Sequence, residues 1–315
     1  MLKQIKTIVL ASALISTQSY GINEPLKDKS SATLDKSKSK SKSKSKSKST
    51  YARFIPERKD DFAWENDLIA FRAYGPAARS GAENSGVDCW LKRVDYPIIN
   101  LWYKRHSEQK ISYHKDNGEG LDNYHVGSSA GCGGTALWIN NERHALEAFT
   151  QWKILSKSKG KTIFALTYEN TINNNKYKEV KKVTIELGKR LYKAESTFYV
   201  NDEVAINLPI AVGLTTHDEK GVSDWNDKAG WLSVWEKLDD SYLGTAVIIA
   251  PENIKSMVIV SSEGQKDKGH ALLVTKTNTQ GKVTYYSGYG WEKAGDIQTQ
   301  ETWHKYLTDF EAVFE

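Results

Sequence analysis

Apolar and polar residues alternate along much of this chain with a period of two. KKVTIELG (181–188) and YKAESTFYV (192–200) are the clearest cases, as expected of antiparallel strands with one face in the core and one in water. Short runs rich in β-branched and aromatic residues, separated by turn formers, extend the pattern. They are Leu68–Tyr74, Val87–Lys92, Thr162–Tyr168, Lys181–Leu187, Lys193–Val200, Ile206–Leu214, Leu243–Ala250, Ser256–Ser261, Ala271–Thr277 and Lys282–Tyr286. The final stretch ETWHKYLTDFEAVF instead repeats Trp303, Tyr306, Leu307, Phe310 and Val313 at helical spacing. Few other helical patterns occur. The pattern predicts a mainly β fold, a large antiparallel β-sandwich closed by a C-terminal helix, and argues against a parallel α/β sheet.

Two segments fall outside this pattern. Residues 1–21 carry Lys3 and Lys6, then the apolar run TIVLASALI, then Ser19 and Gly21 before a plausible cut, which predicts a cleaved secretory signal peptide. The run is too short to span a bilayer, so no membrane span is expected and the mature protein is expected in the periplasm or outside the cell. Residues 22–50 are nearly free of apolar side chains and end in an alternating Ser-Lys tract, which cannot bury enough surface to offset its ordering entropy and is expected to be a disordered linker. Its lysines suit an acidic polymer or a plain solvated tether. Residues 51–315 show no internal repeat and no second linker, which predicts one domain.

Charge narrows the function. Residues 1–50 hold 11 lysines and 3 acids, so of 44 basic and 39 acidic residues 33 and 36 remain in 51–315, a net of −3. The folded part is mildly acidic despite the basic whole, and nucleic-acid binding is a poor reading.

The densest chemistry lies in YHKDNGEGLDNYHVGSSAGCGG (113–134), with two histidines, three carboxylates, two tyrosines and six glycines. Glycines let a backbone turn through φ > 0 and approach a ligand closely, so the segment reads as a loop that aims His114, Glu119, Asp122, Tyr124 and His125 inward. His125 is the first candidate for proton transfer, with Tyr124 as partner acid or base; both could instead be hydrogen-bonded loop residues. His-x4-Glu-x2-Asp-x2-His also offers oxygen and nitrogen ligands to a divalent cation, although the spacing matches no known ligand signature. Cys89 and Cys132 could pair as a disulfide or stay as buried thiols.

Two further segments suit the same cleft. In ERKDDFAWENDLIAFRAY (57–74), Arg58 and Arg72 can hold a carboxylate through a bidentate fork, the alternative being ion pairs with Asp61 or Glu65. Trp64 and Asn66 are residue types of sugar sites, though Trp64 fits a core equally well. In YSGYGWEKAGD (286–296) glycines present Trp291 and Lys293, or simply form a surface hairpin. His217, in LTTHDEKG, is a weaker candidate for a base or substrate contact.

At these residues a resemblance enters. PERKDDFAWEND, IAFRAYGPA, SGVDCWLKR, YPIINLWY, YHKDNGEGLDNYHVG, GCGG, LGTAV and GWEKAGD occur in this order, and residues 51–315 resemble the family of secreted bacterial proteins with a domain of unknown function, DUF-4861. The Ser-Lys tract lies outside it, and Cys89 is not carried over as a family feature. The resemblance implies a β-supersandwich like that of galactose mutarotases and several polysaccharide lyases. It also implies a place among polysaccharide-degrading enzymes, with elimination on uronic-acid oligosaccharides at the non-reducing-end sugar, as dehydratase or lyase. Such chemistry needs a cation at the carboxylate (Arg58 or Arg72), a base at C5 (His125 or Tyr124) and an acid at the C4 oxygen (His114 or the other member of that pair). The rivals are glycoside hydrolysis by a pair such as Glu119 and Asp122, which one loop can hardly place on both sides of a bond, and a non-catalytic carbohydrate-binding protein.

Overall fold

The computed structural model describes residues 47–314. The expected signal peptide and most of the Ser-Lys tract, residues 1–46, lie outside the described residues. Thr50, at the end of the expected linker, is buried and donates its backbone N–H to the Lys159 carbonyl at 2.9 Å.

The fold is mainly β, with antiparallel sheets and a C-terminal helix. One five-stranded sheet runs in the order Tyr51–Ile55, Asp61–Glu65, Ala70–Ala73, Val87–Lys92 and Gly120–Leu121. A second, also of five strands, runs Ser256–Val260, Gly269–Lys276, Pro209–His217, Cys132–Ile139 and Glu142–His144. A parallel bridge between Val87 and Gly131 joins them. It depends on Gly131, whose φ is +57° and where a Cβ would sit 2.1 Å from the Val87 carbonyl.

A nine-stranded sheet makes the other layer, its path running from Val222–Asn226 at one edge through Ser241–Ile249, Lys282–Trp291 and Leu191–Val200 to Gln151–Lys157 at the other. Phe71, Cys89, Cys132 and Val212 meet Tyr192, Tyr285 and Tyr289 in the shared core. Burying tyrosines there requires partners for their hydroxyls. They donate across the layers, Tyr192 to the Cys132 carbonyl at 3.1 Å, Tyr285 to Gly133 at 2.9 Å and Tyr289 to Trp90 at 2.5 Å.

Three differences from the sequence reading have physical causes. Asp61–Glu65, which precedes the first strand the pattern predicts, is itself a strand buried at every position, so it shows no alternation. A helix, Ile99–Gln109, was not expected; its N-terminus is capped from a distance by the Glu65 carboxylate, which accepts the N–H groups of Ile98 and Ile99. The C-terminal helix is Gln300–Thr308, shorter than its apolar spacing suggested, and Thr299 caps it by accepting the Thr302 N–H at 3.2 Å. Phe310 and Phe314 follow without helix yet still pack against Tyr286.

Cys89 and Cys132 are unbridged and buried. Among the described residues no helix is long and apolar enough to cross a membrane.

Candidate active site

Arg72 and the 113–134 loop converge. Pairing along Ala70–Ala73 puts Arg72 beside Ala63 and opposite Asp88, on the face covered by Ile99–Gln109 and the loop that follows it. Trp90 and Tyr74 lie 5.5 and 5.4 Å from its guanidinium carbon. Beside it opens a cavity of about 180 Å³ lined by Arg72, Glu83, His114, Asp122, Tyr124 and His125 with Asn123. It is smaller than the ~300–1,000 Å³ of drug-sized ligand pockets, so it suits one end of a molecule.

Each histidine of the loop is held by one ring nitrogen. His125 Nε2 meets Asp267 Oδ1 at 2.5 Å, and His114 Nδ1 meets the Asp122 carbonyl at 2.9 Å. The remaining nitrogens, His125 Nδ1 and His114 Nε2, have no protein partner among the described residues and are open to a ligand. With side chains 47% and 52% exposed, both rings are accessible. A carboxylate behind an imidazole fixes its tautomer and orientation.

Gly127 makes that carboxylate possible: its φ is +57°, and a Cβ there would lie 2.0 Å from Asp267 Oδ2. Asp267 also accepts the Ser128 N–H at 3.1 Å. Burial would raise its carboxyl, but the hydrogen bonds from His125 and Ser128 hold it below the ordinary carboxylate range.

Tyr124 is buried, and its hydroxyl lacks a protein partner. Burial, with Cys89, Cys132 and Glu236 nearby, pushes the phenol well above its ordinary value, so at neutral pH it keeps its proton. That fits a hydrogen-bond donor and corrects its alternative reading as a base.

Arg72 is not the free fork the sequence suggested. Only 2% exposed, it meets Asp88 at 2.5 Å, Asp122 at 3.4 Å and Asp61 at 3.9 Å. One cation cannot compensate three buried carboxylates. Burial therefore pushes Asp61 up to about 7, and it raises Asp88 and Asp122 as well, Asp122 adding to the shift of Asp88. A group whose folded value is raised binds more protons than in the unfolded chain, so its contribution to stability falls as pH rises between about 4 and 7. His270, lowered to about 3 by burial and then by Arg143, acts in the opposite direction below its unfolded value. The difference between Asp61→Asn and the parent isolates the carboxyl. Asp61→Asn is expected to gain stability relative to the parent from pH 4 to pH 7, by about 10 °C in Tm on a scale of about 2–4 °C per kcal/mol. Parallel Tm profiles for the two proteins would refute the shift.

Arg58 remains near the cavity. Its Nε donates to the Tyr113 hydroxyl at 2.8 Å, and its Nη2 lies 3.6 Å from Glu83, a loose pair at the cavity wall.

Other residues read as site groups have different tasks. Trp64 is core, packed on Phe71 and Phe164 at 5.5 and 5.3 Å. Asn66 ties its own turn by accepting the N–H groups of Leu68 and Ile69, and donates to the Glu186 and Lys189 carbonyls. Glu119 turns away to Arg105 at 2.6 Å and to the Tyr96 hydroxyl at 3.3 Å, which removes the Glu119 and Asp122 pair as hydrolytic acids. Trp291 is buried and donates to Ser241 at 2.9 Å, while Lys293 pairs on the surface with Asp240 at 2.6 Å. His217 is buried beneath the loop with both ring nitrogens engaged, so it is no free base.

The sequence reading missed Asp267, Glu83 and Asp88. Asp267 lies in the charged loop SSEGQKDKGH, 142 residues from His125, with nothing local to mark it. Asp88 sits in a recognised strand one residue from Cys89, and pairing opposite Arg72 is what gives it meaning. Among the described residues no group of three or more His, Cys, Asp or Glu is placed to hold a metal ion, Glu119 having left the proposed set.

A family model described as "Domain of unknown function (DUF4861)" matches residues 14–315. "Uncharacterized protein P7" of Formosa agariphila is 37% identical over 270 residues, 82% of this chain and 66% of that protein, so the chain spans just under two thirds of that relative. Among solved structures, the alpha-N-acetylgalactosaminidase NagBb of Bifidobacterium bifidum matches over 83% of this chain and 38% of its own, with TM-score 0.37 and 8% identity. The GH36 alpha-galactosidase AgaB of Geobacillus stearothermophilus matches over 81% and 43%, with TM-score 0.37 and 6% identity. Likeness at that level places no residue of this chain.

Proposed function

The chain belongs to the DUF4861 family, and from that premise we propose that it is a carbohydrate-active enzyme acting by β-elimination on the terminal uronate of an acidic oligosaccharide. The observation that carries the reading is the cavity in which His125, backed by Asp267, and His114 each keep a ring nitrogen without a protein partner among the described residues. Elimination across C4–C5 needs a base, an acid and a neutralised carboxylate. His125 Nδ1 takes the C5 proton, the C4–O bond breaks as the C4=C5 bond forms, and protonated His114 supplies the departing oxygen with its proton. Water departs from a free C4 hydroxyl and a sugar from a glycosylated one.

The carboxylate is the step on which the first candidate changes. Arg72 is committed to aspartates, so the load falls on Arg58, which can exchange its loose contact with Glu83 for the substrate.

A hydrolytic reading keeps one foothold, since Glu83 and Asp122 line the same cavity. One assay separates the two. On uronate-terminated oligosaccharides the full chain is expected to produce the ultraviolet absorbance of a conjugated unsaturated acid. New reducing ends without that absorbance mean hydrolysis; binding without either product means a binding protein, and both outcomes overturn the elimination reading.

The signal peptide and export to the periplasm or the outside complete the proposal, which rests for them on Lys3, Lys6 and the apolar run that follows.

A further inference from the structure

His217 sits at the end of Pro209–His217, where a bulge after Thr215 and a φ of +47° turn it out of the strand register. Its ring lies under the site loop: Tyr124 crosses it edge to face at 4.9 Å, and His125 lies 6.4 Å away. Both nitrogens face oxygens, a carbonyl and a carboxylate, that with Glu236 ionised can only accept. Nδ1 is 2.7 Å from Glu236 Oε2, and Nε2 is 2.6 Å from the His125 carbonyl oxygen. Glu236 is itself buried on Trp231–Leu238, and its other carboxylate oxygen lacks a hydrogen-bond partner. A neutral imidazole has one N–H and would leave one of these contacts as two lone pairs pressed together, whereas an imidazolium satisfies both.

We infer that His217 is a positioning residue: as a buried imidazolium clamped to Glu236, it donates Nε2–H to the His125 carbonyl and so fixes the turn that carries Tyr124 and His125 into the cavity. The inference rests on the proposed elimination only for its effect on turnover, because the clamp exists without substrate.

The surroundings agree. Burial alone would lower this histidine, but the hydrogen bond and charge of Glu236 and the His125 carbonyl raise it above its ordinary value, against a smaller opposing effect of Lys266. The other groups facing it are the neutral Tyr124 phenol and His125 with its Asp267, while Asp218 and Glu219 follow it in the chain and lead out to the surface. A proton held more tightly in the folded state contributes stability that is complete below about pH 6.5 and lost as pH rises through the folded value. The clamp therefore weakens on the alkaline side.

The test is histidine NMR on the full chain without substrate, with turnover as a second readout. The His217 ring is expected to be doubly protonated at pH 7 and to titrate at higher pH, with the Tyr124, His125 and Val126 amide signals moving along the same curve. His217→Gln, which carries no charge, is expected to abolish that shared titration. It is also expected to lower kcat about tenfold with little change in KM, through misplacement of the base. A conservative Glu236→Gln, which removes the charge and keeps the shape, is expected to lower the His217 titration point. A His217 ring that is neutral at pH 7, or loop amides indifferent to its titration, overturns the inference. These observations stand even if no substrate is turned over, so failure of the clamp and failure of the elimination reading are separable.

Discussion

His125→Ala in the full chain is expected to lower kcat on uronate-terminated oligosaccharides by about 10²–10⁴-fold, the range of a lost general base, while the melting transition moves little. The ring is half exposed and its side-chain hydrogen-bond partner among the described residues is Asp267, so truncation opens no cavity in the core. Asp267→Asn is the companion experiment. It keeps the shape but replaces an acceptor-only group with one that also donates, which weakens control of the His125 tautomer. It should reduce kcat in the same direction by a smaller factor, with KM nearly unchanged. Near-parental turnover in a folded His125→Ala protein would remove this residue from the mechanism, whatever the reaction.

Arg72→Ala is expected to act on the fold instead. Among the described residues the guanidinium is the one cation with ion-pair contacts to Asp61 and Asp88, and it shares Asp122 with the His114 ring at 3.5 Å. Removing one partner of a buried ion pair costs roughly 3–5 kcal/mol because the other charge stays buried without compensation. A fall of that size in unfolding free energy, measured by denaturant titration at pH 8, is expected, and a smaller one at pH 5, where the carboxyls with raised values take up protons. Arg72→Lys keeps the charge as a point and loses the fork that spans several aspartates, so an intermediate loss is expected. An Arg72→Ala protein as stable as the parent at pH 8, yet unable to bind acidic sugar, would reinstate this arginine as the substrate's grip.

Hydrophobic patterning made most of the large sheet legible. Lys161–Ile172, Asn175–Glu186 and Leu191–Val200 bury alternate residues, as their sequences announce. Asp61–Glu65 and Ile99–Gln109 were not legible. The first is buried on both faces, and the second takes its N-terminal cap from Glu65, 33 residues earlier. Neither condition leaves a periodic or capping signature in the local sequence.

The same division runs through the site. The sequence by itself determined that His114, Asp122, Tyr124 and His125 share one short glycine-rich span, because titratable side chains and left-handed backbone positions are local properties of residue type; it did not show that Gly120–Leu121 pairs as a strand or that Cys132 already opens the strand Cys132–Ile139. Only the tertiary structure decided that Asp267 stands behind His125, that Arg72 is enclosed by aspartates, and that Trp64, Asn66, Glu119, Trp291 and Lys293 serve packing, turns or surface pairs. Those outcomes depend on which strands pair and in what register. A carboxylate 142 residues away acquires its role only when the sheets bring it within hydrogen-bond reach.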